Sequence, residues 1–439
     1  MPPEKERLLR YFRAAVVAAD PARLVSSALR AVPDRNARRI FLAGGGKAGR
    51  AMGEAALAVL GDRVASGVIA VPRGTGGAAG PARFVEAGHP LPDDGSRAAA
   101  REIRALLSGL REDDLVIALL SGGGSAMISA PADGISAEEK AEATRLLLSA
   151  GADIASLNAV RKHLSAVKGG LLARAARPAA VRALLLSDVP GDDPSVIASG
   201  PFSPDPTTYG DAAAVLARHR VLDAAPAAVR NRLSSGIAGR IPETPKAGDA
   251  AFDRVTCSIV GSNRTAMDAA GKAAEAEGAG TVLLPGFLRG EARECARAFC
   301  ARLREAAASL APGRTVVLVA GGETTVRVRG GGTGGRSQEF ALAAAMALAG
   351  RERMAVLAAG TDGVDGPTEA AGAFADGTSC ARAAALGFLS GACLENNDSY
   401  PFFRALGDLV VTGPTGTNVA DLAIGVAAGT GDPGTRHFR

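Results

Sequence analysis

Tryptophan is absent from the 439 residues, tyrosine occurs three times and phenylalanine thirteen. So few stacking platforms argue against a nucleic-acid partner. Cysteine is sparse: Cys257, Cys295, Cys300, Cys380 and Cys393 are an odd set without a CxxC. That pattern argues against a disulfide framework and fits a reducing compartment. His89, His163, His219 and His437 have no partners at zinc spacing, so no structural zinc site is expected. Charge of one sign is also lacking. Fifty basic against 45 acidic residues leave +5, a small tilt that would help an anionic substrate approach. No apolar run is long. The most apolar stretch, 340–350, lies between Glu339 and Arg351, too short to cross a bilayer, and reads as a buried helix. The segment 4–12 is a charged amphipathic helix and not a signal peptide. The reading is a folded cytoplasmic protein with no membrane or nucleic-acid partner and with a homodimer as a candidate assembly.

What the chain has in quantity is short apolar runs alternating with helical patterns. Candidate strands at 40–43, 67–71, 115–120 and 182–187 are uninterrupted, as in strands covered on both faces. Segments 48–60 and 98–110 carry the helical pattern between them. Alternation of this kind predicts a parallel sheet with crossover helices. Residues 224–249, with three prolines, read as a helix and a linker. Strands then resume at 255–260, 281–284, 315–319, 326–328 and 354–358, and a helix is expected to begin near Ala420. Two α/β domains follow, 1–245 and 246–439.

The 56 glycines cluster at predicted strand ends, where parallel sheets bind ligands. Gly44, Gly45 and Gly46 precede Lys47. This matches G-x-G-x-x-G formally, but the second strand ends in Val71-Pro72-Arg73 without the acid that a dinucleotide ribose needs. A Walker A loop fails too, because Phe41 and Ala48 stand at its first Gly and its Ser/Thr. Lys47 either points to solvent or faces an anion. Ser121, Gly122, Gly123, Gly124 and Ser125 fail the nucleophile-elbow pattern at Met127; an anion nest is the better reading and a plain turn the alternative. Asp188 ends a strand among apolar flanks and reads as a working carboxylate, or else braces its loop.

Further on, the loop 330–335 has no bulk and must be disordered or ordered around a ligand, with Arg336 at the helix entry as a phosphate or carboxylate fork. Asp362 and Asp365 do not meet the calcium-loop pattern; an aspartate on Mg²⁺ beside phosphates is more natural. These loops converge on a polyanion with Mg²⁺ and on phosphoryl transfer.

The runs FLAGGGKAGRAM (41–52), AGHPLPDDGS (87–96), LLSGGGSAM (119–127), LNAVRKHLSAVKGG (157–170) and LLLSDVPGDDPSVIASGP (184–201) resemble the glycerate 2-kinase family with a C-terminal MOFRL domain. So do GGETTVRVRG (321–330), GGRSQEFALAAA (334–345), AAGTDGVDGPTEAAGAFAD (358–376) and TGPTGTNVADL (412–422). The resemblance runs in order through nearly the whole chain. It implies a Rossmann-like first domain with a mostly parallel sheet, a smaller α/β MOFRL-type second domain and an active site in the interdomain cleft. It also implies ATP-dependent phosphorylation of D-glycerate to 2-phosphoglycerate with Mg²⁺. On that basis Lys47, Asp188 and Arg336 are the catalytic candidates. Glu323 and Asp362 are the metal candidates. The loops 44–46 and 121–125, Asn158, Arg161, Asn397 and Asn418 would bind substrate or nucleotide. His163 is expected to be packed. Members are also labelled hydroxypyruvate reductase; that activity, the second choice, needs a nicotinamide site whose ribose acid is missing here.

Overall fold

The computed structural model describes residues 3–31 and 37–429. The chain divides into two compact units. Pro21–Val260 forms the first, and residues 3–20 join those from 261 onward in the second. The division therefore differs from the expected one at 245. Residues 246–260 belong with the first unit because the Val181 N–H donates to the Arg254 carbonyl (2.8 Å), and Phe252 and Val255 pack on that unit's core. The N-terminal helix Pro3–Ala18 belongs with the second. There Lys5 pairs with Asp408 (3.0 Å) and the Tyr11 hydroxyl donates to Glu277 (2.8 Å).

The strands of the first sheet are β1 (Arg39–Gly45), β2 (Val64–Val71), β3 (Gly77–Ala79), β4 (Ala82–Glu86), β5 (Asp114–Leu120), β6 (Ala180–Leu186) and β7 (Val255–Gly261). Their order is β3-β4-β2-β1-β5-β6-β7. β4, β2, β1, β5 and β6 run parallel in succession, and β3 is antiparallel to β4. Every residue of β5 is buried, which an uninterrupted Leu-Val-Ile-Ala-Leu-Leu run requires of a strand covered on both faces. Register places Gly45 beside Leu120, and Leu120 beside Leu185. The carboxyl ends of β1, β5 and β6 thus emerge side by side. A second apolar cluster, around Leu147, Val160, Tyr209 and Leu216, holds the helices Ala137–Ser149, Ile154–His163 and Tyr209–Arg218 together.

In the second unit the strands are β8 (Gly280–Leu283), β9 (Thr315–Gly322), β10 (Met354–Gly360), β11 (Gly372–Asp376), β12 (Leu409–Val410) and β13 (Asp421–Ala428), ordered β12-β11-β10-β13-β9-β8. Among the described strands of this sheet the β8–β9 ladder is parallel and the other ladders are antiparallel. The segment expected to be helical from Ala420 is β13, a central strand paired along its whole length to β9 and β10. Its small residues let a helix approach: a Cβ on Gly425 would press on Phe299 and Leu303. The expected strand 326–328 is not formed. Its backbone is taken by side chains, Glu291 accepting from the Arg327 N–H and Asn397 donating to the Arg327 carbonyl. Helix Arg336–Leu348 is buried along most of its length, as expected.

Candidate active site

In the first unit, the ends of β1, β5 and β6 deliver Lys47, the turn 121–125 and Asp188 in that lateral order. The β1 glycines are not an anion nest. Gly44 and Gly45 are in the strand itself. The N–H groups of Gly46 and Lys47 donate to the carbonyls of Ala70 (3.1 Å) and Gly122 (2.8 Å), and that of Ala48 to Ser121 Oγ (3.1 Å). Glycine is needed here for close approach: a Cβ on Gly44 would overlap the Leu119 carbonyl, and one on Gly46 would overlap Ser121 Oγ. The β5 turn behaves differently. Among the described residues the N–H groups of Gly122 and Gly123 donate to no protein acceptor. N–H groups open to an anion thus lie in the second loop, where the anion nest was expected, and not in the first.

Gly123, at φ 82°, lies between His89 and Lys47. A Cβ there would sit 3.0 Å from the His89 ring and 3.3 Å from Lys47 Cγ. His89 follows β4 and was missed in the sequence, where only zinc spacing was asked of it. Partial burial, then the charge of Lys47, lower its pKa from the ordinary histidine value. Both effects favour the neutral imidazole.

Ser125 is the hinge of a polar chain. Its Oγ lies 2.8 Å from Ser199 Oγ, and Ser199 Oγ donates to Asn158 Oδ1 (3.2 Å). Lys168 Nζ donates to the Ser125 carbonyl (2.6 Å) and to Ser125 Oγ (3.1 Å). Ala198 and Ser199 both have positive φ, 52° and 62°. Two adjacent non-glycine residues held in the left-handed region are strained, and such strain collects at working sites. Arg161 lies in the last turn of helix Ile154–His163, which starts at Asp153, whose carboxylate accepts from the Ser156 N–H. His163 is packed, as expected: Nδ1 is 2.7 Å from the Ala159 carbonyl and Nε2 3.1 Å from Glu243.

In the second unit, Arg336 opens its helix but does not present an open fork. Nε and Nη2 bind Asp421 (2.6 and 3.1 Å), and Nη1 binds Glu323 (2.5 Å). Burial opposes the charge, but the bond to Asp421 and the charges of Asp421, Glu323 and Asp365 outweigh it, so the guanidinium pKa is raised. Asp421 carries the opposite strain: burial pushes its carboxyl up to about 6 against the pull of Arg336. The helix N-terminus is already occupied by protein, since the Asp365 carboxylate accepts from the N–H groups of Ser337 (3.0 Å) and Gln338 (2.8 Å). Burial raises the Asp365 pKa. Asp421, hidden in the sequence because its strand carries the pattern of a helix, stands near Asp362. A Cβ on Gly360 would lie 3.1 Å from Asp362 Oδ1 and 3.4 Å from Asp421 Oδ1.

The glycine loop 330–335 is ordered by protein, a third outcome beyond disorder or ligand. Asn397 Oδ1 accepts from the N–H groups of Arg329 (2.7 Å) and Gly330 (3.2 Å), while Nδ2 donates to Glu339 (2.8 Å). Asn396 and Asp398 accept from Gly332 and Thr333. Asn397, expected to bind ligand, is therefore a brace. Asn418 Oδ1 accepts from the Ala420 N–H (3.3 Å), shaping the entry to β13. His437 lies outside the described residues.

Two family models match the chain: the domain of unknown function DUF4147 over residues 7–234, and the MOFRL family over residues 316–421. D-glycerate 2-kinase of Thermotoga maritima is 40% identical over 425 residues, 96% of this chain and 98% of that one. The chain belongs to the glycerate kinase family. A crystal structure of the glycerate kinase from Thermotoga maritima matches with a TM-score of 0.88 at 38% identity, covering 98% of this chain and all of the other. An Agrobacterium vitis protein provisionally named a hydroxypyruvate reductase is 43% identical over 421 residues, 95% of this chain and 93% of its own. Within this glycerate kinase family chain, the loops that carry the sequence motifs are those at the ends of β1, β5 and β6 and around Arg336. No helix among the described residues is long and apolar enough to cross a membrane.

Proposed function

We propose that the chain is a cytoplasmic D-glycerate 2-kinase, moving the γ-phosphoryl group of ATP to the 2-hydroxyl of D-glycerate and releasing 2-phosphoglycerate and ADP. The observation that carries this reading is the row formed by Lys47, the Gly122–Gly123 N–H pair and Asp188 at the ends of three adjacent parallel strands. Phosphoryl transfer asks a protein for positioning and charge stabilisation more than for covalent chemistry. In this assignment Lys47 meets the negative charge that develops on the transferred group, and the two N–H groups receive one of its oxygens. Asp188 accepts the proton of the 2-hydroxyl or orients it.

Mg²⁺ prefers one or two carboxylates plus water and phosphate oxygens. Glu323 and Asp362 fit that demand, with Asp421 beside Asp362, although no group of three His, Cys, Asp or Glu suited to a metal occurs among the described residues. Ser337 Oγ is buried without a protein partner and borders the same small cavity as Asp421, which adds a spare oxygen. Mg²⁺ held there would neutralise phosphate charge. Arg336, with three of its five N–H groups given to Asp421 and Glu323, acts as a positioning residue for those carboxylates rather than as a direct phosphate fork.

The reductase reading has the β1 loop against it. A dinucleotide pyrophosphate would need N–H groups that Gly46, Lys47 and Ala48 already give to protein acceptors. The test is a pair of assays on one preparation: ATP, Mg²⁺ and D-glycerate, followed by ADP release; and hydroxypyruvate with NADH or NADPH, followed by cofactor oxidation. Glycerate-dependent ADP release alone supports the kinase. Cofactor oxidation alone overturns it.

A further inference from the structure

Three cations of the first unit face one another without an acid between them. Lys140 is on the helix Ala137–Ser149, anchored by the Ser136–Glu139 capping box; Arg161 lies in the last turn of the helix Ile154–His163; Lys168 follows the Ser165 turn. Lys168 is 2% exposed and Lys140 8%. Their ammonium groups have only neutral partners: Lys168 donates to the Ser125 and Ile128 carbonyls (2.6 and 3.4 Å) and to Ser125 Oγ, and Lys140 to the Ala130 carbonyl (3.4 Å). Among the described residues none of the three cations forms an ion pair. The contrast with other buried lysines is direct, because Lys5 takes Asp408 at 3.0 Å and Lys162 takes Asp205 at 3.2 Å.

A buried charge without a counter-charge is strongly unfavourable. Burial and then the charge of Arg161 bring Lys140 down to about 7. Burial, with Lys140 and Arg161, brings Lys168 well below its ordinary value, and burial lowers Arg161. Such an arrangement is sustained where an anion completes it.

The three line one cavity of about 220 Å³, shared with Ser125, Thr144 and Leu91. Pockets for drug-sized ligands run from roughly 300 to 1,000 Å³, so this one suits a smaller guest than a nucleotide. Apolar walls beside a cationic end match a short carbon skeleton with one acidic head. Ser125 also places the cavity on the turn whose Gly123 approaches Lys47.

We infer that this cavity seats the carboxylate of the phosphoryl acceptor, with Lys140, Arg161 and Lys168 gripping the acid head of a short 2-hydroxy acid. The identity of the acid rests on the kinase reading above; the anion pocket does not. Lys140 and Lys168 are then substrate-binding residues, and the nucleotide is held by other groups.

The test is isothermal titration of the full-length protein with D-glycerate and, separately, with ADP and Mg²⁺, for the wild type, Lys140→Gln, Lys168→Gln and Ala141→Leu. Ala141 lines the cavity from an exposed helix position, so its leucine variant fills the space while removing no charge and folds even if a lysine variant does not. Loss of a charge-assisted bond is expected to weaken D-glycerate by about tenfold or more, leaving ADP affinity within about twofold. D-glycerate affinity unchanged in Ala141→Leu and in the folded lysine variants overturns the inference. So does a loss confined to ADP, or a wild type that binds no short hydroxy or keto acid. If the wild type makes no phosphorylated product yet binds hydroxypyruvate in a manner these variants abolish, the pocket stands and the kinase reading falls.

Discussion

Ser125 and Ser199 share a 2.8 Å hydrogen bond between their hydroxyl oxygens, and Ser199 makes it from a backbone held at φ 62°. The bond joins the turn after β5 to Asn158 on one side and Lys168 on the other. A left-handed conformation costs an L residue roughly 1–2 kcal/mol, and glycine adopts it freely. Ser199→Gly is therefore expected to keep or slightly raise thermal stability while lowering kcat/KM for D-glycerate by about tenfold, the worth of one charged-network hydrogen bond. Thermal denaturation and steady-state kinetics on the same preparation check both halves. Unchanged kinetics would remove Ser199 from the site.

Lys47→Ala and Asp188→Asn test the two ends of the strand row. Removing a preorganised charge-stabilising group costs about 10² to 10³ in kcat. Removing a general base costs about 10² to 10⁴. Both positions follow strands whose backbone pairing does not depend on the side chain, so circular dichroism and Tm are expected to stay near wild type. Near-full turnover in either variant contradicts the role given to that residue.

The acid pocket predicts a pH dependence with a definite sign. Lys140 titrates near about 7 in the ligand-free protein, and it is charged below that value. Arg161 and Lys168 face it, with Arg97 and Arg145 at the lining and their partners Asp94 and Glu142 behind them. An α-carboxyl titrates near about 3.5, so glycerate stays anionic throughout. Attraction is present at low pH and is lost as the pH rises past the lysine pKa, less the shift that bound glycerate itself induces. KM for D-glycerate is expected to climb between about pH 7 and pH 9 in the wild type and to flatten in Lys140→Arg. A KM that falls with pH over that range would contradict the assignment.

Asn397 separates bracing from binding. Its side chain holds the N–H groups of Arg329 and Gly330 and the buried carboxylate of Glu339. Asn397→Ala leaves those groups unmet and is expected to cost about 2–3 kcal/mol of stability, read as a lower urea midpoint. A variant as stable as wild type with a large rise in nucleotide KM would return Asn397 to the ligand.

The legible part of this fold was local. β5 announces itself because Leu-Val-Ile-Ala-Leu-Leu has no other home than a doubly covered strand, and the glycine loops are visible because nothing else packs there. What was hidden depends on partners far away in sequence. β13 is rich in alanine, and only pairing with β9 and β10 makes it a strand. That error concealed Asp421, which forms the fork with Arg336. The N-terminal helix gives no sign in its own residues that Asp408 and Glu277 will claim it. Lys140 and Lys168 look like ordinary charged-surface lysines; it is the tertiary packing that buries them without an acid.

The most direct test of the account is the position of the new phosphate ester. D-Glycerate labelled with ¹³C, incubated with ATP, Mg²⁺ and the protein, can be followed by ¹³C and ³¹P magnetic resonance. The account predicts phosphorus coupling to a C2 ester that forms first and grows with the release of ADP. An ester at C3, or ADP formed at the same rate without glycerate, would contradict it.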